Sequence, residues 1–170
     1  LLLKKIAKPN QILAVTFTNK AAAEMKSRVS NMLNFPIDRM WIGTFHSLSL
    51  KILRKHYEKL KLKQNFIIID KDDQVKLIKK ICDQEKIDTK EISPTFFVNS
   101  IDSLKNKAIT ADKLKANKYR SNDHELRKVY KIYQDELLRI NCVDFGDLIL
   151  FCIKLFNDYE DIKKYYEELF

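Results

Sequence analysis

The sequence predicts a helix-rich α/β fold in which a part with parallel strands is followed by a mainly helical subdomain. Three observations indicate this class. Residues 1–70 contain two short apolar runs, each followed by a helical pattern, which gives a β-α-β-α order. Beyond residue 70 the apolar residues recur at helical spacing. A chain of 170 residues with 45% hydrophobic content can bury an ordinary core for one domain, or for one domain and part of another.

The first predicted strand is residues 12–17, an almost wholly apolar, β-rich run typical of a strand covered on both faces. A helix is expected to begin at Thr18 or Asn19, both acceptable N-caps. Its apolar face is formed by Ala22, Met25, Val29 and Met32. A strand that leads into a helix N-terminus presents unpaired backbone N–H groups, so this junction is a candidate phosphate-binding site.

The same strand-to-helix order is predicted a second time. Residues 40–42 form a short strand, and Gly43 and Thr44 lead into a long helix that is expected to extend to about residue 60. The basic side chains along residues 51–63 are expected to form a solvated face. Residues 66–69 are predicted as a last strand or extended segment.

Helix-start signals divide the rest of the chain. The N-cap patterns are Asp70 with Asp73, Ser93 before Pro94, Asn122 with Glu125, and Asp144 with Asp147. Residues 105–121 are polar and are expected to be irregular, and the acidic tail at 158–170 is expected to end in one more helix. A helical subdomain is therefore predicted to begin near residue 70.

The charge of the chain favours a polyanionic partner. The formal net charge is +9, and residues 144–170 hold three Lys against seven Asp or Glu, so the excess of positive charge lies in residues 1–143. A phosphate backbone is the commonest such partner, and binding through released counterions weakens steeply with salt. A solvated basic face without a nucleic-acid partner explains the charge equally well.

Cysteine usage and hydropathy indicate a cytoplasmic protein. Cys82, Cys142 and Cys152 are odd in number and widely spaced, which favours neither a disulfide framework nor a zinc site. No apolar stretch approaches the length of a membrane span, and we expect no membrane partner. The chain begins without Met in what looks like the end of an apolar helix, which leads us to expect a longer parent protein.

Three segments resemble motifs of the superfamily-1 DNA helicases of the UvrD, PcrA and Rep family. They are Thr16-Phe17-Thr18-Asn19-Lys20-Ala21-Ala22-Ala23-Glu24-Met25, Gly43-Thr44-Phe45-His46-Ser47 and Val143-Asp144-Phe145-Gly146-Asp147-Leu148. The first two are similar to motifs Ia and Ib, which lie on single-stranded DNA in the family. The third is similar to the segment that returns from the inserted subdomain to the motor domain.

The resemblance implies a P-loop-type parallel-sheet motor domain called 1A, interrupted by a helical insertion called 1B. Residues 1–70 and 145–170 would belong to 1A, and residues 71–144 would form 1B. A G-x-x-x-x-G-K-[ST] phosphate loop does not occur in a chain whose only glycines are Gly43 and Gly146, and no acidic D-E-x-Q-D string occurs either. The ATP-binding motifs are thus expected outside this chain, which we expect neither to hydrolyse ATP nor to unwind DNA alone.

The resemblance also assigns DNA-binding residues to this chain. They are Thr16, Phe17, Thr18, Asn19, Lys20, Thr44, Phe45, His46, Ser47 and Phe145, together with Lys105, Asn106 and Lys107 near the duplex junction. Phe17 and Phe145 would contact successive bases, and stacking of this kind tolerates any sequence. The simpler alternatives are a core Phe17 after which Thr18 only caps a helix, a His46 that caps or packs, and a core Phe145 after an Asp144 cap.

The implied parent protein is an ATP-dependent 3′–5′ DNA helicase of a bacterial cytoplasm. Its cofactors would be ATP and Mg²⁺, and its partners single-stranded DNA, single-strand/duplex junctions and DNA-repair proteins. Three alternatives stay open at this point. They are a stand-alone nucleic-acid-binding module, a helical scaffold whose basic face binds an acidic protein, and the motor subunit of a recombination helicase-nuclease.

Overall fold

The computed structural model describes residues 1–33, 37–114 and 123–170. The chain divides into two compact units. The first unit comprises Leu1–Lys55 and Cys152–Phe170, and the second comprises His56–Phe151. The described residues form a helix-rich α/β structure with two small parallel sheets, one in each unit. The predicted fold class is confirmed at this level.

The first unit contains the sheet formed by β1 (Leu13–Thr16) and β2 (Trp41–Thr44). The two strands are parallel and pair from Leu13 opposite Trp41 to Thr16 opposite Thr44. Each strand leads directly into a helix, α1 (Asn19–Met32) after β1 and α2 (Phe45–Lys55) after β2. A short 3-10 helix, Pro9–Gln11, precedes β1. The predicted β-α-β-α order is therefore present.

The burial of β1 differs from the prediction of a strand covered on both faces. Leu13 is 45% exposed, and the other three residues of the strand are only half-buried. By contrast, every residue of β2 is buried. Within the described residues the two strands pair only with each other, and both contact α1. β2 also packs against α2 and the aromatic rings of Tyr166 and Phe170, which cover it more completely.

The second unit is a bundle of helices with a two-stranded parallel sheet. Its sheet pairs β3 (Ile67–Ile68) with β4 (Cys142–Val143). Its helices are α3 (Lys71–Gln84), α4 (Pro94–Asn106), α5 (Asp123–Arg139) and the first half of α6 (Phe145–Asp158). The core includes Ile78, Ile81, Cys82, Phe97, Val98, Ile101, Val129, Tyr130, Tyr133 and Leu137. The remaining helix, α7 (Glu160–Leu169), follows the second half of α6 in the first unit.

The predicted helix caps at Thr18, Asp70 and Ser93 are confirmed. The Thr18 hydroxyl accepts a hydrogen bond from the Ala21 N–H, and the Asp70 carboxylate accepts one from the Asp73 N–H. The Ser93 hydroxyl accepts in the same way from the third residue after it, and Pro94 occupies the first position of α4. The predicted cap at Asn122 lies outside the described residues.

One helix boundary differs from the prediction. Helix α2 ends at Lys55 instead of extending to about residue 60, because Tyr57–Leu60 form a 3-10 turn and Lys61 adopts a left-handed conformation with φ 58°. This turn buries Leu60 and Leu62. The compact units change over at residues 55/56 and 151/152, and β3 pairs with β4 inside the second unit. The subdomain bounds at 70/71 and 144/145 stay a prediction.

The described part of the chain contains neither a candidate membrane-spanning helix nor a candidate metal-binding group. In residues 1–33, 37–114 and 123–170, none of the helices has both the length and the apolar character needed to cross a bilayer. Over the same ranges, His, Cys, Asp and Glu side chains form no group of three or more that could hold a metal ion. Cys82, Cys142 and Cys152 are free thiols and all are buried.

Candidate nucleic-acid interface

Parallel pairing brings two of the singled-out segments to one edge of the sheet in the first unit. Thr16, the last residue of β1, lies opposite Thr44, the last residue of β2. Both strands therefore end together, and α1 and α2 begin next to each other at this edge. In open α/β sheets ligands bind at the carboxyl ends of strands, where helix N-termini offer N–H groups and a partial positive charge.

Two aromatic rings lie on the surface at this edge. The centroids of Phe17 and Phe45 are 5.6 Å apart, and the ring planes are tilted by 51°. Phe17 is 88% exposed and Phe45 is 49% exposed. The alternative that Phe17 is a core residue is therefore wrong. Exposed aromatic faces of this kind can stack on nucleic-acid bases, at about 1–3 kcal/mol per base.

The start of α1 places small polar and charged groups beside Phe17. Thr16 is half-buried at the end of β1, and Thr18, Asn19 and Lys20 are exposed. Thr18 caps the helix with its hydroxyl, so the capping role suggested by the sequence is present. Asn19 and Lys20 lie in the first turn, where backbone N–H groups have no acceptor within the helix. The segment therefore combines an exposed ring, a helix N-terminus and an ammonium group.

The start of α2 is organised by a reciprocal pair of hydroxyl residues. The Thr44 N–H donates to the Ser47 Oγ at 2.9 Å, and the Ser47 N–H donates to the Thr44 Oγ1 at 3.2 Å. The Ser47 hydroxyl also donates to the Thr44 carbonyl oxygen at 3.0 Å. A Cβ at Gly43 would lie 2.5 Å from the Ser47 Oγ, so glycine is required for this approach. His46 lies between these residues and is exposed.

We expect Ser47→Ala to lower the free energy of unfolding by about 0.5–2 kcal/mol. The substitution removes the acceptor of the Thr44 N–H, which is one of the two reciprocal hydrogen bonds of the capping box at the start of α2, and leaves the Thr44 hydroxyl in place. Urea denaturation followed by circular dichroism measures the change. Ser103→Ala is the control, because Ser103 is exposed within α4 and away from its cap. A loss no larger than that of the control would contradict the capping role.

Two lysines of the basic segment 51–63 lie over aromatic rings, whereas the sequence predicted a solvated face. The Lys51 ammonium lies 4.0 Å from the centroid of the Trp41 ring, and the Lys55 ammonium lies 4.0 Å from that of Tyr165. Cation–π contacts of this type hold each charge over an aromatic face inside the first unit. Both lysines retain their positive charge and so still contribute to general attraction for a polyanion.

In the second unit, Phe145 is exposed between buried neighbours. It is the first residue of α6 and is 54% exposed, whereas Asp144 and Asp147 are fully buried. The Asp147 N–H donates to the Asp144 Oδ1 at 2.9 Å, and the Asp144 N–H donates to the Asp147 Oδ2 at 3.1 Å. The predicted cap is thus confirmed, and a core position for Phe145 is wrong.

Lys105 requires a correction. The sequence placed it in an irregular surface segment as a residue that contacts DNA, but it lies in the last turn of α4 and its side chain is fully buried. Its ammonium is 2.6 Å from the Asp144 Oδ2 and 2.7 Å from the Asp147 Oδ1. The charge is already paired with two carboxylates, so we do not retain Lys105 among the residues proposed to contact DNA. Asn106 and Lys107, which follow it, are exposed.

Two further side chains complete this buried lysine cluster, which we define as Lys105, Asp144 and Asp147. The Tyr133 hydroxyl donates to the Asp144 Oδ2 at 2.9 Å, and the Gln134 amide donates to both oxygens of Asp147 at 3.2 Å. Burial raises the pKa of Asp147 above its usual value, although the Lys105 charge opposes this shift. Burial and the charge of Asp144 likewise raise the pKa of Tyr133. The hydroxyl therefore stays protonated and acts as a donor.

The sequence contains one signal for the cluster, which is the spacing of Lys105 from two core residues of α4. Phe97, Ile101 and Lys105 are spaced four residues apart, so they share one face of α4, and the first two are core residues. A lysine on such a face is expected to be buried and to need an anionic partner. Nothing in the spacing of Tyr133 and Gln134 identifies them as that cluster's further donors.

Neither glycine of the chain lies in a phosphate loop of the G-x-x-x-x-G-K-[ST] type. Gly43 lies inside β2 and Gly146 lies inside α6, so neither glycine forms part of a loop at the start of a helix. A phosphate loop needs glycines in a loop, where backbone N–H groups can surround the phosphates.

Comparison with known proteins gives a family match over the whole chain. The sequence model of the UvrD/REP helicase N-terminal domain matches residues 1–170. An ATP-dependent DNA helicase PcrA of Staphylococcus epidermidis (strain RP62A) is 38% identical over 170 residues, which cover 100% of this chain. An ATP-dependent DNA helicase PcrA of Staphylococcus aureus (strain Mu50) is 40% identical over an alignment of 172 residues. The chain spans 23% of the length of each of these relatives.

Proposed function

Because the chain belongs to the UvrD/REP helicase family, we propose that it forms the single-stranded-DNA-binding part of the motor domain of an ATP-dependent 3′–5′ DNA helicase. In this proposal the two compact units correspond to parts of subdomains 1A and 1B. The contacts with DNA come from Thr16–Lys20 and Thr44–Ser47 in the first unit. Phe145, Asn106 and Lys107 contribute from the second unit.

The observation that carries the proposal is the pair of exposed rings, Phe17 and Phe45, at adjoining strand ends. Exposing two large apolar rings to water has no benefit for folding, since burial of each would be favourable. Their flat faces can stack on the faces of unpaired bases. Inside a duplex the faces of the bases are not available to these rings. The phosphates of the same strand can bind beside these rings. The helix N-termini offer N–H groups there, and Asn19 and Lys20 offer further donors.

The positive charge supports the same class of partner. A net charge of +9 favours a polyanion, and stacking on exposed rings is independent of base sequence, as a translocating motor requires. A scaffold that binds an acidic protein would use the charge and would have no need of the exposed ring pair. The two ideas therefore differ in whether Phe17 and Phe45 matter for binding.

For the parent protein we propose ATP and Mg²⁺ as cofactors, bound by residues outside this chain. ATP hydrolysis would supply the energy for stepping along the strand. The family match and the PcrA relatives, which are ATP-dependent DNA helicases, support this part of the proposal. We also propose that the parent protein acts in a bacterial cytoplasm on single-strand/duplex junctions, together with DNA-repair proteins.

The first test is fluorescence anisotropy of a labelled oligo-dT and of a duplex of the same length, each titrated with this chain over a series of salt concentrations. We expect tighter binding to oligo-dT, and log Kd rising linearly with log salt because Lys and Arg release counterions from the strand. Equal affinity for both DNAs would reduce the interaction to charge. Absence of binding at low salt would overturn the proposal.

A further inference from the structure

We propose that the buried lysine cluster is a positioning device, in which Lys105 holds the first turn of α6 so that Phe145 presents its ring to a DNA base. This inference rests on the proposed function, because it assigns a role to the residue beneath one of its contact points. Lys105 itself does not contact DNA. Phe145 makes the proposed contact with the base, and Lys105 affects binding only by positioning Phe145.

The two oxygens of each carboxylate in the cluster have different partners, and this arrangement supports the positioning role. In the cap of α6, the Asp144 Oδ1 and the Asp147 Oδ2 each accept one backbone N–H. The other oxygen of each carboxylate lies 2.6–2.7 Å from the single ammonium of Lys105. The ammonium on α4 thus joins both halves of the cap on α6. Phe145 and Gly146 lie between those halves, so their backbone is held at both ends.

The packing of Gly146 is a second, independent observation. A Cβ at this position would lie 3.0 Å from the Lys105 Cδ and 3.1 Å from the Lys105 Cβ. The absence of a side chain therefore lets the first turn of α6 approach the lysine stem. Glycine is unfavourable inside a helix, so the close approach is obtained at the expense of helix propensity.

Stability alone does not account for the cluster. Three fully buried charged side chains lose their hydration, and apolar residues of similar volume often give equal or greater stability in such places. In some proteins buried polar or ionic groups specify one arrangement of the elements that carry them, and we infer this role for the cluster between α4 and α6. In this unit the element so held presents a half-exposed aromatic ring between buried residues. Orientation of that ring is the consequence of the arrangement.

The test is a double-mutant cycle on oligo-dT affinity, measured by anisotropy with the full chain. The first variant is Gly146→Ala, which separates α6 from Lys105 while raising helix propensity. The second is Lys105→Met with Asp147→Asn, which removes the ammonium while leaving the cluster's formal charge at −1. Each change is also made in a Phe145→Ala background. Thermal melts establish that every variant is folded at the temperature of the titration.

We expect Phe145→Ala to weaken oligo-dT binding by about 5- to 150-fold, the range for one stacked base. Gly146→Ala and the Lys105 double variant should each weaken it by at least about threefold. Neither should weaken it further once Phe145 is absent, because both act through that ring. Lys128→Met removes one positive charge from the same unit, where Lys128 pairs with Glu85 at the surface, and it should weaken binding equally with and without Phe145.

The outcomes separate the inference from the function on which it rests. If Phe145→Ala weakens binding while the folded cluster variants bind like the unmodified chain, the positioning role is overturned and the function stands. Equal losses in both Phe145 backgrounds would also overturn the positioning role, since they would indicate a general effect. If oligo-dT is not preferred over duplex, or Phe145→Ala has no effect, the DNA contact assigned to Phe145 fails and the inference fails with it.

Discussion

We expect replacement of Lys105 by methionine to lower the free energy of unfolding by about 3–5 kcal/mol, the cost of leaving a buried charge without its partner. The ammonium lies within 2.7 Å of two carboxylates, and all three side chains are fully buried. Methionine keeps much of the volume but leaves Asp144 and Asp147 without their counter-charge. Urea denaturation monitored by circular dichroism measures the loss.

The control for this prediction is Lys128→Met. Lys128 pairs with Glu85 at 2.6 Å, but its side chain is 45% exposed, so the expected loss is about 0–1 kcal/mol. The double variant Lys105→Met with Asp147→Asn should recover part of the stability, since it removes one uncompensated charge. Similar losses for Lys105→Met and Lys128→Met would contradict the assignment of Lys105 to a buried cluster.

The pH dependence of the same variant has a definite sign. Burial already raises the pKa of Asp147, and Lys105 is the group that opposes this. Without Lys105 the folded-state pKa of the carboxyl rises further, so the protonated form is favoured in the folded chain. A group with a raised folded pKa loses its contribution to stability as the pH increases. The deficit of Lys105→Met should therefore be smaller at about pH 5 than at about pH 8.

Phe17→Ala should weaken binding to oligo-dT by about 1–3 kcal/mol, or about 5- to 150-fold in Kd. Phe17 is 88% exposed, so its removal costs little in folding, and its ring lies 5.6 Å from that of Phe45. Anisotropy titrations at one fixed salt concentration measure the change. Phe17→Leu distinguishes stacking from general apolar contact, because leucine keeps apolar surface and lacks a flat face.

Phe96→Ala is the matched control for Phe17→Ala. Phe96 is an exposed phenylalanine on α4 whose ring packs edge-to-face on Phe97, and no segment around it resembles a DNA-binding motif. We expect its loss to leave the affinity for oligo-dT unchanged. If Phe17→Ala binds as tightly as Phe96→Ala, the ring pair does not stack on bases, and the basic charge alone explains the binding.

Local signals of backbone capping were readable from the sequence because they depend on few residues. Thr18, Asp70 and Ser93 each cap a helix at the predicted place, since a hydroxyl or carboxylate satisfies an N–H three residues later. The neighbouring positions of Thr16 and Thr44 were not predicted, although they agree with a simple rule, that successive parallel strands end at the same sheet edge.

Features that depend on distant parts of the chain were not readable in this way. The pairing of β3 with β4 joins Ile67 to Cys142 through only two residues per strand, too few for a periodic signal. The end of α2 at Lys55 follows from the turn that buries Leu60 and Leu62, so tertiary packing overrides a continuous helical pattern. The burial of Lys105 has a local signal in its spacing from Phe97 and Ile101, but the two carboxylates that pair with it lie 39 and 42 positions away and have none.

The central claim is that single-stranded DNA lies on the edge formed by Phe17 and Phe45, and photo-crosslinking tests it most directly. The chain is bound to oligo-dT, irradiated with ultraviolet light, digested and examined by mass spectrometry to locate the residues joined to thymine. We predict crosslinks within Thr16–Lys20 and Thr44–Ser47, together with a crosslink at Phe145. Crosslinks confined to the basic residues of 51–63, or spread over the surface without these segments, would contradict the account.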